Sequence, residues 1–242
     1  MDYITYKVKK IEIHEVDYML NYQLCYLFNE LTTIATTNAL KIGLWNKDMM
    51  GKYGWIIAKQ TLHLDQPITY NDTIEFSTVA GHSSHVAFPR YYFIKKDNQI
   101  IGTCSSIWTL IDIQKRRMTS PKRIGLTIPN MNHDVFLEEP HNIDIDLDMK
   151  HITTRQVLYS DIDTNQHMNN TRYIQWALDC IDYSIHQKAY ISDITIQYKK
   201  EVRPLEFVEL YIGHKDNRYI VEGKNDKETF FIIEIYMTNR KS

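Results

Sequence analysis

One short stretch gathers most of the groups in this chain that could do chemistry. Asp161-Ile162-Asp163-Thr164-Asn165-Gln166-His167-Met168-Asn169-Asn170 places two carboxylates, an imidazole and three asparagines in one polar loop. A strand-like run over 156–159 leads into it. After it, Tyr173, Trp176, Ala177, Cys180 and Ile181 recur at the spacing of one helix face. Acids, bases and amides therefore stand where a buried helix begins. A helix start offers free N–H groups and the positive end of a dipole, a setting that suits a developing oxyanion. Asp and Asn are also ordinary turn and N-cap residues, so the loop taken alone needs no chemistry.

The elements that must position this loop are written twice. The first half reads as a strand over 6–16, then a helix with Leu20, Leu24, Leu27, Phe28, Leu31, Ile34 and Ala35 as its apolar positions. Strands over 54–64, 73–80, 85–95 and 100–112 follow. The second half reads as a strand over 155–159, a helix over 168–185, and strands over 193–202, 207–214, 219–224 and 229–238. In each half a strand runs out at a proline, Pro67 or Pro204. An apolar-Glu-apolar step comes next, Ile74-Glu75-Phe76 or Val208-Glu209-Leu210. A repeat of roughly this length is too long for a solenoid and suits a duplicated domain. A helix followed by antiparallel strands must bury itself against the sheet they form. The expected fold is α+β, a tandem (double) hot-dog of two helix-wrapped antiparallel sheets joined side by side. The expected boundaries are 1–128 for the first unit, 129–150 for a linker holding Pro129 and Pro140, and 151–242 for the second. The first half has Glu15-Val16-Asp17-Tyr18-Met19-Leu20-Asn21 where the second has its polar loop. Leu64-Asp65 stands, to within one position, where the second half has Glu201-Val202. One active site per chain is the expectation.

Three segments resemble the acyl-ACP thioesterases of plant plastids and bacteria, which hydrolyse the thioester between a fatty acid and acyl carrier protein. The first is Asp163-x-Asn165-x-His167-Met168-Asn169-Asn170-x-x-Tyr173-x-x-Trp176. The second, Tyr198-Lys199-Lys200-Glu201-Val202, is similar to the family's Tyr-Arg-Arg-Glu-Cys strand. The third is Trp108-Thr109-Leu110-Ile111-Asp112 with Lys115-Arg116-Arg117, similar to the Trp-rich strand and basic turn that close the family's first half. The resemblance implies a double hot-dog that binds the acyl chain in the first half and carries catalysis in the second. It implies that Asp163, Asn165, His167 and Glu201 are catalytic.

Thioester hydrolysis needs an activated water, a place for negative charge on the carbonyl oxygen, and a proton for the leaving thiol. Glu201 is the expected base, His167 can orient the water or relay the proton, and Asn165 can hold the water or the thioester oxygen. Asp163 can fix its neighbours or act directly. Plant members often carry Cys after the glutamate, and this chain has Val202 there. That departure favours attack by water over a covalent thioester on cysteine.

Other features are read more plainly. A net charge of -2 argues against a general nucleic-acid binder, and no apolar run approaches a membrane span. The opening residues show no signal peptide, so a cytoplasmic location is expected. Cys25, Cys104 and Cys180 are widely spaced and read as reduced core thiols, and no cofactor is expected. His82 and His85 read as a turn, and Lys115, Arg116, Arg117, Lys122 and Arg123 as a solvated hairpin. Lys199, Lys200 and Arg203 are the candidates for docking an acidic carrier protein. Exposed sheet edges leave room for a homodimer. A hot-dog acyl-CoA thioesterase and a catalytically silent acyl-binding module are the two other readings.

Overall fold

The computed structural model describes residues 3–84, 86–129, 133–163 and 166–240. The first half holds β1 (Thr5–Lys10), α1 (Leu24–Lys41), β2 (Tyr53–Leu64), β3 (Thr73–Ala80), β4 (Phe88–Lys96), β5 (Gln99–Asp112) and the short β6 (Arg117–Met118). The second holds β7 (Lys150–Gln156), α2 (Asn170–Leu178), α3 (Tyr183–Lys188), β8 (Ala189–Tyr198), β9 (Phe207–Lys215), β10 (Arg218–Lys224) and β11 (Thr229–Asn239). All pairings are antiparallel and form one sheet in the order β1-β3-β4-β5-β2-β8-β11-β10-β9-β7, with β6 on β5. Each half repeats one strand order outward from the β2–β8 junction. The structure is thus a tandem hot-dog.

The junction shows the pseudo-twofold in atomic detail. Thr61 lies opposite Thr195, and their hydroxyls are hydrogen-bonded at 2.8 Å. α1 buries Leu24, Leu27, Phe28, Leu31, Ile34 and Ala35, and α2 buries Tyr173, Ile174, Trp176 and Ala177. Both apolar faces join one core with Phe76, Tyr92, Leu62, Ile194, Ile196, Phe231 and Ile233 from the sheet.

The stretch 143–149, ahead of β7, packs on the second half. Ile143 meets Ile220 and Ile232, with Leu147 and Met149 alongside. A Cβ at Gly213 would come within 2.8 Å of Leu147 and Met149, so the close approach requires glycine. This cover explains why Phe230-Phe231-Ile232-Ile233 runs apolar on both faces.

Several boundaries differ from the sequence reading. β1 stops at Lys10, and residues Ile13–Glu15 form a 3-10 turn. The second helix is broken: α2 ends at Leu178, and Asp182 caps α3 by accepting the Ser184 N–H at 2.8 Å. β7 starts at Lys150, and β8 starts at Ala189 and ends at Tyr198 rather than Val202.

Candidate active site

Backbone bonds fix the loop before α2. The Asp163 N–H donates to the His167 carbonyl at 2.9 Å, and the His167 N–H donates to Asp163 Oδ1 at 3.3 Å. Gln166 turns the chain at a φ of 64°. Met168 N–H donates to the Val202 carbonyl at 3.1 Å, which ties the loop to the segment after β8. Asn169 then caps α2, its Oδ1 accepting the Thr171 N–H at 2.9 Å.

Glu201 arrives from the other side. Lys199 and Lys200 both donate their N–H groups to the Phe230 carbonyl, which ends β8 and turns the chain toward the loop. Val202 is fully buried and anchors the turn, its N–H donating to the Tyr173 hydroxyl at 3.2 Å. Burial, and then the neighbouring Glu201 and Asp163 carboxylates, push the Tyr173 phenol well up, so it stays neutral. The outcome is contact between the imidazole and the carboxylate: His167 Nε2 lies 3.1 Å from Glu201 Oε2. The His167 side chain is 24% exposed and that of Glu201 46%, so water reaches the pair.

The structure therefore brings Asp163, His167 and Glu201 together. Asn165 lies outside the described residues. One group that side-chain patterns do not reveal is the backbone N–H of Asn170, the first residue of α2. It has no partner among the described residues, and Asn170 lines the adjoining cleft.

That cleft, of about 410 Å³, leads from Asp163, Asn169, Asn170 and Thr171 into the first half. Asn29, Thr32, Thr36 and Ala39 of α1 line it, opposite Trp55, Phe88, Arg90 and Trp108 of the sheet. Most of the helix face that the apolar pattern marks fills the core, and Ala35 from it also borders the cleft. Beyond α1, Trp55 borders the cleft, whereas Met49 is buried and Met50 is exposed.

The first half keeps the loop and lacks its chemistry. The Asp17 N–H donates to the Asn21 carbonyl at 2.8 Å, and the Asn21 N–H donates to Asp17 Oδ1 at 2.9 Å. Leu20 turns at a φ of 63°, as Gln166 does in the second half. Tyr22 N–H donates to the Ile68 carbonyl at 2.7 Å, as Met168 does to Val202. The counterpart of Glu201-Val202 is thus Pro67-Ile68, which corrects the expected Leu64-Asp65. Asn21 stands for His167 and Pro67 for Glu201. A cavity of about 630 Å³ adjoins this second loop, lined by Asp17, Asn21, Arg155, Arg172 and Trp176 among others. It is the larger of the two, yet it lies at the loop without an imidazole-carboxylate pair.

Burial raises all three thiols, Cys180 to about 11, with Cys25 and Cys104 also shifted up. Lys199, Lys200 and Arg203 are exposed around Glu201, with Lys200 paired to Glu228. His82 Nε2 lies 3.3 Å from the His133 carbonyl, and His85 lies outside the described residues. No cluster of metal-ligating side chains occurs among the described residues. Lys115 is held in the β5–β6 turn by Asp112 Oδ1, which accepts its N–H at 2.9 Å.

Two helix-wrapped units sharing one antiparallel sheet place the chain in the tandem hot-dog class, with the His167–Glu201 pair at the head of α2 in the second unit. Residues 4–122 match the acyl-ACP thioesterase N-terminal domain, and residues 144–231 match the C-terminal domain of the same family. The chain belongs to the acyl-ACP thioesterase family. It is 26% identical over 162 residues to a palmitoyl-acyl carrier protein thioesterase of Cuphea hookeriana, covering 61% of this chain and 38% of the relative. It is 25% identical over 159 residues to a dodecanoyl-[acyl-carrier-protein] hydrolase of Umbellularia californica, covering 61% and 41%. The matches thus span about two fifths of those relatives' length. Among solved structures, an acyl-ACP thioesterase of Bacteroides thetaiotaomicron superposes with a TM-score of 0.85 at 20% identity, covering 98% of each chain. The 12:0-ACP thioesterase of Umbellularia californica superposes at 0.79 with 17% identity, covering 99% of each. No helix among the described residues is long and apolar enough to cross a membrane.

Proposed function

We propose that this chain hydrolyses the thioester of fatty acyl-ACP to a free fatty acid and holo-ACP. The observation that carries the reading is the 3.1 Å contact between His167 and Glu201 at the head of α2, next to a cleft into the first half. Water reaches the half-exposed Glu201, which takes its proton as it attacks the carbonyl carbon. The Asn170 N–H, at the positive end of α2, receives the carbonyl oxygen as charge develops. His167, in contact with Glu201, relays the proton to the departing thiolate. Asp163 shapes the loop that holds His167, and Asn165 completes the site by holding the water or the carbonyl oxygen. The shared family supports this division, as does the first-half loop, where Asn21 and Pro67 stand in place of His167 and Glu201.

In this reading the first unit, 1–128, holds the acyl chain in the cleft beside α1. The segment 129–150 links the units, and 151–242 carries the catalytic groups. Lys199, Lys200 and Arg203 receive the acidic carrier protein. A cytoplasmic enzyme is the matching location. The deciding experiment is a panel of acyl-ACPs and acyl-CoAs of varied length, assayed for thiol release. Release from acyl-ACP that Glu201→Gln abolishes supports the reading. No release from any thioester would overturn it.

A further inference from the structure

The cleft has an unusual wall. Arg90, on β4, is only 5% exposed and lines the cleft together with Trp55, Phe88 and Trp108. Its Nη1 donates to Asn38 Oδ1 at 2.8 Å and to Thr78 Oγ1 at 3.3 Å. Both partners are neutral. Asn38 is itself fully buried and its amide nitrogen is spent on the Tyr3 carbonyl and Thr5 Oγ1, at 2.8 and 3.0 Å. No carboxylate among the described residues pairs with Arg90, and its Nε and Nη2 have no partner among them. A guanidinium stays charged at any working pH, and burying that charge without a counter-charge is costly. Arg90 has therefore been placed and held by neutral groups, while the edge formed by Nε and Nη2 is left open. That edge offers two parallel N–H donors, the fork that receives a carboxylate.

The position along the cleft fixes where such a group would sit. α1 lines the cleft from Asn29, which shares it with Asn170 and Thr171 at the α2 start, to Ala39, next to the Asn38 that holds Arg90. At 1.5 Å per residue, Asn29 to Asn38 spans roughly 13 Å. An extended alkyl chain advances roughly 1.25 Å per carbon at ordinary bond lengths and angles. An acyl chain with its thioester carbon at His167 and Glu201 would bring about its tenth to twelfth carbon to Arg90.

We propose that the cleft accepts acyl chains whose far end carries a carboxylate, and that Arg90 is the residue that selects them. The inference rests on the hydrolase reading above for its thioester end and on Arg90 for its distal end. A methyl-ended chain of the same length would strip the open donors of water and return no acceptor, so it is disfavoured. Shorter methyl-ended chains stop before Arg90 and escape that penalty.

The test compares kcat/KM for two pantetheine thioesters of twelve carbons, one ending in methyl and one in carboxylate, with the chain as it stands and with Arg90→Met. We expect at least a tenfold preference for the carboxylate-ended substrate, and its loss or reversal in Arg90→Met. Asn38→Asp is the second variant, since it supplies Arg90 with an internal counter-charge and should erase the preference without removing the guanidinium. Calorimetric binding of dodecanoic and dodecanedioic acids gives a readout independent of turnover. If no thioester is cleaved, the hydrolase reading fails, and the binding ratio still decides the role of Arg90. A native protein that prefers the methyl-ended ligand in both assays, or a preference unchanged in the folded variants, overturns the proposal.

Discussion

Asn21 occupies in the first half the position that His167 occupies in the second. Each lies four residues after an aspartate whose N–H donates to its carbonyl, and each returns its own N–H to that aspartate's Oδ1. The turn therefore accepts asparagine without rearrangement. His167→Asn is expected to fold with a melting temperature close to that of the parent, while kcat falls about a hundredfold or more, the scale of a lost acid-base group. Thermal unfolding and thiol-release kinetics on one preparation check both parts. A destabilised protein would show that the two loops are not equivalent.

The two carboxylates are separable by isosteric change. Glu201 touches His167 Nε2, whereas Asp163 accepts the His167 backbone N–H. Glu201→Gln should lower kcat about a hundredfold or more with fold retained, and Asp163→Asn should cost less. Equal losses would make Asp163 a direct participant. A folded, nearly fully active Glu201→Gln would transfer the role of base to Asp163.

How much of this was legible in the chain can be judged residue by residue. The loop from Asp161 to Asn170 stood out because its side chains are dense in acid, base and amide groups and open a helical repeat. The duplication was legible because both halves must bury one helix against strands in the same order. The break between α2 and α3 was not, since Cys180 and Ile181 keep the helical spacing and only the Asp182 cap marks the restart. The pairing of Pro67-Ile68 with Glu201-Val202 was hidden because it depends on which carbonyl Tyr22 and Met168 reach, not on residue type. The lining by Thr32 and Thr36 was hidden for a related reason. An apolar repeat reports which face of α1 is buried, and the cleft runs along the margin of that face, where Thr32 and Thr36 flank Ala35.

No cysteine should be needed for turnover. Burial drives all three thiols toward the protonated form, and Val202 stands where the resemblance to the plant enzymes would place a Cys. Replacing Cys25, Cys104 and Cys180 by Ala together should preserve kcat, with some loss of stability from thinned packing at buried sites. A folded triple variant without thiol release would refute attack by water.

The carrier protein should matter through charge. Lys199, Lys200 and Arg203 are exposed beside Glu201, so acyl-ACP is expected to show a higher kcat/KM than the matching acyl-CoA at low salt. The advantage should shrink as salt rises, because fields from exposed charges are screened over about 10 Å at 0.1 M. Lys199→Glu with Arg203→Glu should lower kcat/KM on acyl-ACP while leaving kcat on a pantetheine thioester near its original value. Equal efficiency on both carriers at low salt would favour an acyl-CoA thioesterase.

The junction between the two halves carries a titrating pair, and its pH dependence has a definite sign. His63 on β2 faces Asp193 on β8, with Nδ1 2.6 Å from Asp193 Oδ1 and Nε2 3.2 Å from Asp65 Oδ1. The Asp193 hydrogen bond is the largest influence on the imidazole, and with Asp65 it outweighs burial, so the His63 pKa rises above its ordinary 6.5. A group whose folded pKa is raised gives its full stabilisation below the unfolded value and loses it as pH climbs through the folded one. The His63 side chain is half exposed, so the contribution is that of a surface ion pair, within about 1 kcal/mol. His63→Gln should therefore lower the melting temperature at pH 6 by more than at pH 8.5, the gap closing progressively above about 6.5. Asp193→Asn should reproduce that pH dependence, because it removes the partner that raises the imidazole. A His63→Gln penalty constant from pH 6 to 8.5 would mean that the residue acts only as a neutral hydrogen-bonding group between the two sheets.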